Sequence, residues 1–125
     1  MNTESKPFSV EQQLRQLDES VALSRVGGDM ELLQEVVGLF LDDYPHSLEM
    51  IRDAVFRRDQ SSLERHAHSL KGSVSTFGAQ EAFDAAQDLE KQGRTGDLAQ
   101  AQDGLERLEH ALTALRPELE ALQAK

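Results

Sequence analysis

Arg65-His66-Ala67-His68-Ser69-Leu70-Lys71-Gly72-Ser73 is the stretch on which the reading of this chain turns. Leu63, Ala67, Leu70, Val74 and Phe77 recur at alternating spacings of four and three around it, the single apolar stripe of an amphipathic helix. His68 is off that stripe. Glu64, Arg65, Lys71, Gly72 and Ser75 share its side, because residues three and four apart stack on one helix face. Gly72 in mid-helix costs about 1 kcal/mol relative to alanine. An imidazole, a cation and a glycine on one outward face call for an explanation other than packing.

Outward from this stretch the periodicity stays helical. Ser9 with Gln12 resembles a capping box, and a short helix is expected over about Val10–Leu17, with a second over Glu19–Arg25. Val26-Gly27-Gly28 is a turn, and Asp29 is placed to cap the next helix. That helix starts at Met30. Pro45 disfavours helical dihedrals in the residue before it, so a kink, or a junction of two helices, is expected there before the pattern resumes to Arg57-Arg58. Asp59, or Ser61 with Glu64, caps the His68 helix, which ends near Phe77 at the turn residue Gly78. A further helix follows from Ala79, with Gln92–Gly96 as the next turn. Asp97 is expected to cap a last helix carrying Leu98, Ala101, Leu105, Leu108, Leu112 and Leu115, and Pro117 to stop it or leave one or two more turns. No segment alternates like a strand. The expected class is all-α: an antiparallel up-and-down four-helix bundle with short N-terminal capping helices, residues 9–125 forming one domain behind a flexible tail of residues 1–8.

Composition narrows the function. The chain has 125 residues and 38% hydrophobic content, enough for one core. It has no cysteine, which removes thiol chemistry and fits a reducing compartment. A net charge of −10 argues against nucleic acid and anionic membranes as partners. No apolar run approaches the ~20 residues of a membrane span, and Met1–Pro7 is too polar for a signal peptide, so a cytoplasmic location is expected.

The turn at Gly78 makes its two flanking helices a hairpin. His68 stands ten residues before Gly78 and Glu90 twelve after it, so the two lie at similar heights, as do Lys71 and Gln87. A carboxylate accepting from Nδ1–H of His68 fixes the tautomer and leaves Nε2 nucleophilic. Lys71 is placed to neutralise incoming phosphoryl oxygens, and Gly72 removes bulk that would block an approaching protein. Blander roles are open to the same residues. Lys71 can be a solvated charge paired with Glu64 or Gln87. His66 and His68, two apart, point about 200° away from each other and cannot chelate one metal. His46 and His110 have no partner at ligand spacing, and Ser73 and Ser75 lack the accompaniments of a hydrolase. The leucine stripe of the last helix belongs to a bundle core more readily than to a dimer seam, so a monomer is expected.

With its flanks, the stretch resembles a known family. Ala67-His68-Ser69-Leu70-Lys71-Gly72-Ser73, Gly78-Ala79, Leu89-Glu90 and Gly93, preceded by Gly27-Gly28-Asp29, Leu32-Leu33, Phe40-Leu41 and Tyr44-Pro45, are similar to the histidine-containing phosphotransfer (HPt) domain of two-component phosphorelays, over roughly Asp18 to Leu115. The resemblance implies a phosphocarrier and not an enzyme. His68 would accept a phosphoryl group on Nε2 from the aspartyl phosphate of a receiver domain and pass it to a response-regulator receiver, with a hybrid sensor histidine kinase upstream. Lys71 matches the family's lysine, Gly72 its glycine, and Glu90 the position that holds Nδ1. No cofactor or metal is implied on this chain, Mg²⁺ being expected on the receiver. Arg65, Gly72, Ser75 and Gln87 are the expected docking residues, with Arg57 and Arg58 adding to a local basic patch. A non-phosphorylated helical adaptor, and the N-terminal phosphoacceptor domain of a chemotaxis-type kinase, are the alternatives.

Overall fold

The structure, a computed structural model, describes residues 15–125. The tail expected over residues 1–8 and residues 10–14 of the first expected helix lie outside the described residues. Five helices and no strand are present among the described residues: α1 (Glu19–Arg25), α2 (Met30–Arg57), α3 (Gln60–Ser75), α4 (Gln80–Thr95) and α5 (Ala101–Gln123).

Local chemistry accounts for most of the boundaries. Asp18, Asp29 and Asp59 each accept a hydrogen bond from the backbone N–H three residues on, so α1, α2 and α3 begin where an aspartate satisfies an orphan donor. For α3 this selects Asp59 over the Ser61–Glu64 alternative. Gly27, Gly28 and Gly78 hold positive φ in the turns, a region that L side chains rarely enter. The helix α2 runs unbroken through Pro45, so the two apolar segments form one 28-residue element and not two abutting helices.

Three expectations are corrected. Residues 15–17 are not helical, because the N–H groups of Gln16 and Leu17 donate to the carboxylate of Glu118. Gln92, Gly93 and Arg94 belong to α4 and not to a turn; the chain leaves the helix only at Gly96, with φ +81°. Asp97 does not cap α5. Its carboxylate accepts from Ala99 N–H in the connecting turn, and α5 begins at Ala101 after Gln100.

Beyond Pro117, α5 continues to Gln123, and Leu119 and Leu122 are fully buried. Gln34 donates from its side chain to the carbonyls of Leu122 and Lys125, and Lys125 pairs with Glu19. The last turns are therefore core, held to α1 and α2. Burial of each such leucine contributes about 1.5–3 kcal/mol.

The four long helices pack in a closed order of neighbours. α3 lies against α2 and α4, and α5 against α4 and α2. α3 and α4 share the most extensive contact. The leucine stripe expected for α5 is buried within the chain throughout. Phe40 stacks on Tyr44 and meets the Phe77 ring edge-on at a centroid distance of 5.2 Å, filling the end of the core near α1. There, Asp18 N–H donates to the Phe77 carbonyl, fixing α1 over the α3–α4 turn.

Candidate phosphotransfer site

The positions of His68 and Glu90 follow from how closely α3 and α4 approach. At Gly93 the α4 backbone lies directly on α3. A Cβ placed there would stand 2.6 Å from the Glu64 amide nitrogen and 2.8 Å from the Gln60 carbonyl. Only glycine permits that approach. One turn before it, Glu90 is the one buried charged residue among the described residues, 6% exposed, and it reaches across to α3.

Its carboxylate gathers three basic side chains. Nδ1 of His68 lies 2.8 Å from Oε2. A carboxylate can only accept, so Nδ1 carries the proton in this pair, and in the neutral imidazole with that tautomer the lone pair is on Nε2. The His68 side chain is 67% exposed. Nζ of Lys71 lies 2.7 Å from Oε1, in an ion pair whose angle is poor for a hydrogen bond. Arg94 approaches Oε2 with Nη2 at 3.5 Å and the Glu64 carboxylate with Nε at 3.5 Å. Burial pushes the Glu90 carboxyl up, yet the contacts from Lys71 and His68 outweigh it and hold the group below its ordinary value of 4.5. It is therefore a carboxylate at neutral pH, as a fixed acceptor for Nδ1–H must be.

The remaining predicted residues fall into place unevenly. Lys71 pairs with Glu90, not with Glu64 or Gln87; its ammonium also lies 5.9 Å from the centroid of the Phe83 ring. Gln87 is exposed on α4. Arg65 is exposed beside His68, and both line a shallow depression with Ser61, Glu64 and Glu90. Gly72 is exposed, and a Cβ there would meet nothing within 4 Å, so internal packing does not require the glycine. Ser75 turns its hydroxyl back onto the Gly72 carbonyl. On the other flank of α3, Leu39, Phe40, Ser73 and Thr76 line a groove against α2. Arg57 is committed to Asp53 on its own helix.

Two relationships escaped the sequence reading. Arg94 belongs to the site, and the signal was its spacing of four from Glu90, hidden because the segment read as a turn. His46, without a partner at ligand spacing, adds an unfavourable charge interaction that opposes protonation of His66. His66 is held below 6.5 by burial first, then by Arg65 and His46. No group of three or more potential metal ligands occurs among the described residues.

An exposed histidine locked at Nδ1 by a buried glutamate on an all-helical scaffold defines a class, and the family comparison agrees with it. A model of the Hpt domain matches residues 35–123, and the chain belongs to that family. Among solved structures, it is similar to histidine-containing phosphotransfer protein B (HptB) from Pseudomonas aeruginosa PAO1. The identity is 25%, the TM-score 0.80, and the match covers 87% of this chain and 95% of that one. The HPT domain of a sensor hybrid histidine kinase from Shewanella superposes with a TM-score of 0.79 at 20% identity, over 89% of this chain and 96% of that one, a likeness of fold alone. No curated protein matches the sequence.

Proposed function

We propose that this Hpt domain is a phosphocarrier in which His68 accepts a phosphoryl group on Nε2 from a receiver's aspartyl phosphate and delivers it to a second receiver. The observation that carries this reading is the 2.8 Å contact between Nδ1 of the exposed His68 and the buried Glu90. It holds the proton on Nδ1 and presents the Nε2 lone pair to a partner. In the transfer, the bond from phosphorus to the aspartate oxygen breaks, its electron pair staying on the carboxylate, and the Nε2 lone pair forms the new bond to phosphorus. The imidazolium that results keeps its proton on Nδ1, which donates to Glu90. Lys71 offsets the charge of Glu90 and adds positive potential beside the phosphoryl group. Such transfer is chiefly positioning and charge stabilisation, so a nucleophile held on one helix suffices when the receiver supplies Mg²⁺ and its own lysine. This chain then needs no metal or cofactor, and it is turned over as a carrier and not as a catalyst.

The scaffold reading accompanies it. The closed order of neighbours supports reading the four long helices as an antiparallel up-and-down bundle with α1 at one end, within the single domain expected over residues 9–125. Arg65, Gly72, Ser75 and Gln87 form the docking rim, and the open space at Gly72 supports a partner closing there. A hybrid sensor histidine kinase is the upstream partner, and the cytoplasm, with the protein as a monomer, is the setting. The net charge of −10 disfavours nucleic acid and anionic membranes, and no helix among the described residues is long and apolar enough to cross a membrane.

The test is incubation with a phosphorylated receiver, or with a hybrid kinase and ATP, followed by mapping of acid-labile phosphate by mass spectrometry. Label is expected on His68 and absent from His68→Gln. Label persisting in that variant sinks the assignment, and receiver binding without any label favours the adaptor reading.

A further inference from the structure

The cations near His68 are not equivalent. Lys71 is confined: its side chain is 21% exposed, and its ammonium sits 2.7 Å from a buried carboxylate. Withdrawing it would leave Glu90 short of a counter-charge in a desolvated position, which is costly. Arg94 is the opposite case. Its side chain is 56% exposed and is held only by two 3.5 Å contacts, to Glu64 on α3 and to Glu90 on its own helix. The contact with Glu64 is exposed on both sides, and such ion pairs add little stability. Yet Arg94 is one carboxylate away from His68, because Oε2 of Glu90 is shared between its Nη2 at 3.5 Å and Nδ1 of His68 at 2.8 Å.

We propose that Arg94 is a phosphoryl-binding residue of the phosphorylated state. When His68 carries the group on Nε2, the guanidinium gives up Glu64 and donates to the phosphoryl oxygens. This rests on the reading of His68 as the phosphoacceptor. No bond to phosphorus is made or broken by Arg94; it exchanges one anion for another. The exchange is favourable in direction. A phosphoryl group brings a charge of about −1.5 to −2 and three strong acceptors, against the single charge of an exposed carboxylate. The planar guanidinium fork also matches phosphate oxygens in pairs, which an ammonium does not. Glu64 then acts as a competitor that parks Arg94 in the resting state. The charged groups around the exchange are Glu64, Arg65, His68 and Lys71 from α3, and Glu90 and Arg94 from α4.

The measurement is the equilibrium partition of phosphate between the intact protein and a partner receiver, for wild type, Arg94→Gln, Arg94→Lys, Glu64→Gln and the double variant. Arg94→Gln is expected to move the partition about fivefold toward the receiver, the size of one charge-assisted contact at a surface. Arg94→Lys restores part of it. Glu64→Gln moves the partition the other way, and its effect vanishes in the Arg94→Gln background. Thermal midpoints of the unphosphorylated variants stay close to wild type, which separates the effect from scaffold damage. A wild-type partition in Arg94→Gln overturns the proposal, as does a Glu64→Gln shift of the same sign. Loss of label in His68→Gln alongside such a result leaves the phosphoacceptor reading standing and removes this one alone. Label surviving in His68→Gln removes both.

Discussion

Lys71 and Glu90 form a 2.7 Å ion pair between adjacent helices, on the same carboxylate that holds His68. The lysine therefore shares with His68 the carboxylate that holds the imidazole. Glu90→Ala is expected to slow phosphorylation of His68 about tenfold without abolishing it, because tautomer fixing assists the reaction and does not define it. It should also destabilise the protein by about 1–3 kcal/mol, since Lys71 loses its partner. Glu90→Gln keeps an acceptor for Nδ1–H and should fall between the two in rate. Single-turnover kinetics with urea unfolding checks all three, and equal rates for Ala and wild type would remove Glu90 from the site.

The two glycines that flank the histidine predict opposite outcomes. At Gly72 a Cβ meets nothing, so Gly72→Ala should stabilise α3 by about 0.5–1 kcal/mol. Gly72→Phe should leave stability near wild type but slow transfer from a receiver tenfold or more, because the bulk lies on the face proposed to meet the receiver. At Gly93 a Cβ meets the α3 backbone, so Gly93→Ala should cost about 1–3 kcal/mol and slow transfer by moving Glu90 away from His68. Thermal melts and transfer rates on the three variants separate these roles. A destabilised Gly72→Ala with a stable Gly93→Ala would reverse the assignment.

Stability should fall in two steps as the solution is acidified. The folded state holds His66 below 6.5, so the unfolded chain takes up that proton first. The contribution of His66 is complete above pH 6.5 and is lost as pH falls through the lower folded value. Glu90 is held below 4.5, so its contribution is complete above that pH and is lost as pH falls through its own folded value. Urea midpoints against pH should show the first step missing in His66→Gln and the second in Glu90→Gln. An unchanged first step in His66→Gln rules out His66 as its source.

The turns beyond Pro117 should behave as core. Leu119→Ala is expected to cost about 2–5 kcal/mol, as for other fully buried leucines. Removing residues 118–125 should destabilise further by freeing the Gln16–Leu17 segment and the Gln34 side chain from their partners. A thermal midpoint within a degree of wild type for Leu119→Ala would show these turns to be dispensable.

Much of this is legible in the sequence. The stripe through Leu63, Ala67, Leu70, Val74 and Phe77 is buried as read, because helical periodicity records which side faces a core. The counting of residues on either side of Gly78 brought Glu90 to His68, because rise per residue is constant and the turn is short. What failed did so where a non-local partner overrode a local signal. Gly93 and Gly96 read alike as turn residues, yet only Gly96 ends the helix; Gly93 is there for the α3 backbone. Residues 15–17 follow a helical pattern, but Glu118, a hundred residues away, takes their amide groups.

The sequence alone therefore determined the all-helical class, the face that carries His68 and the height of its carboxylate partner, since periodicity, capping and rise are properties of a single strand of chain. Only the tertiary structure decided which charges share that carboxylate. Lys71 is committed to Glu90, Arg94 is loosely held between Glu90 and Glu64, and Gly72 faces open space. Each of these depends on how closely two helices approach and on what surrounds a side chain, and neither distance nor burial is written in the order of residues on one helix.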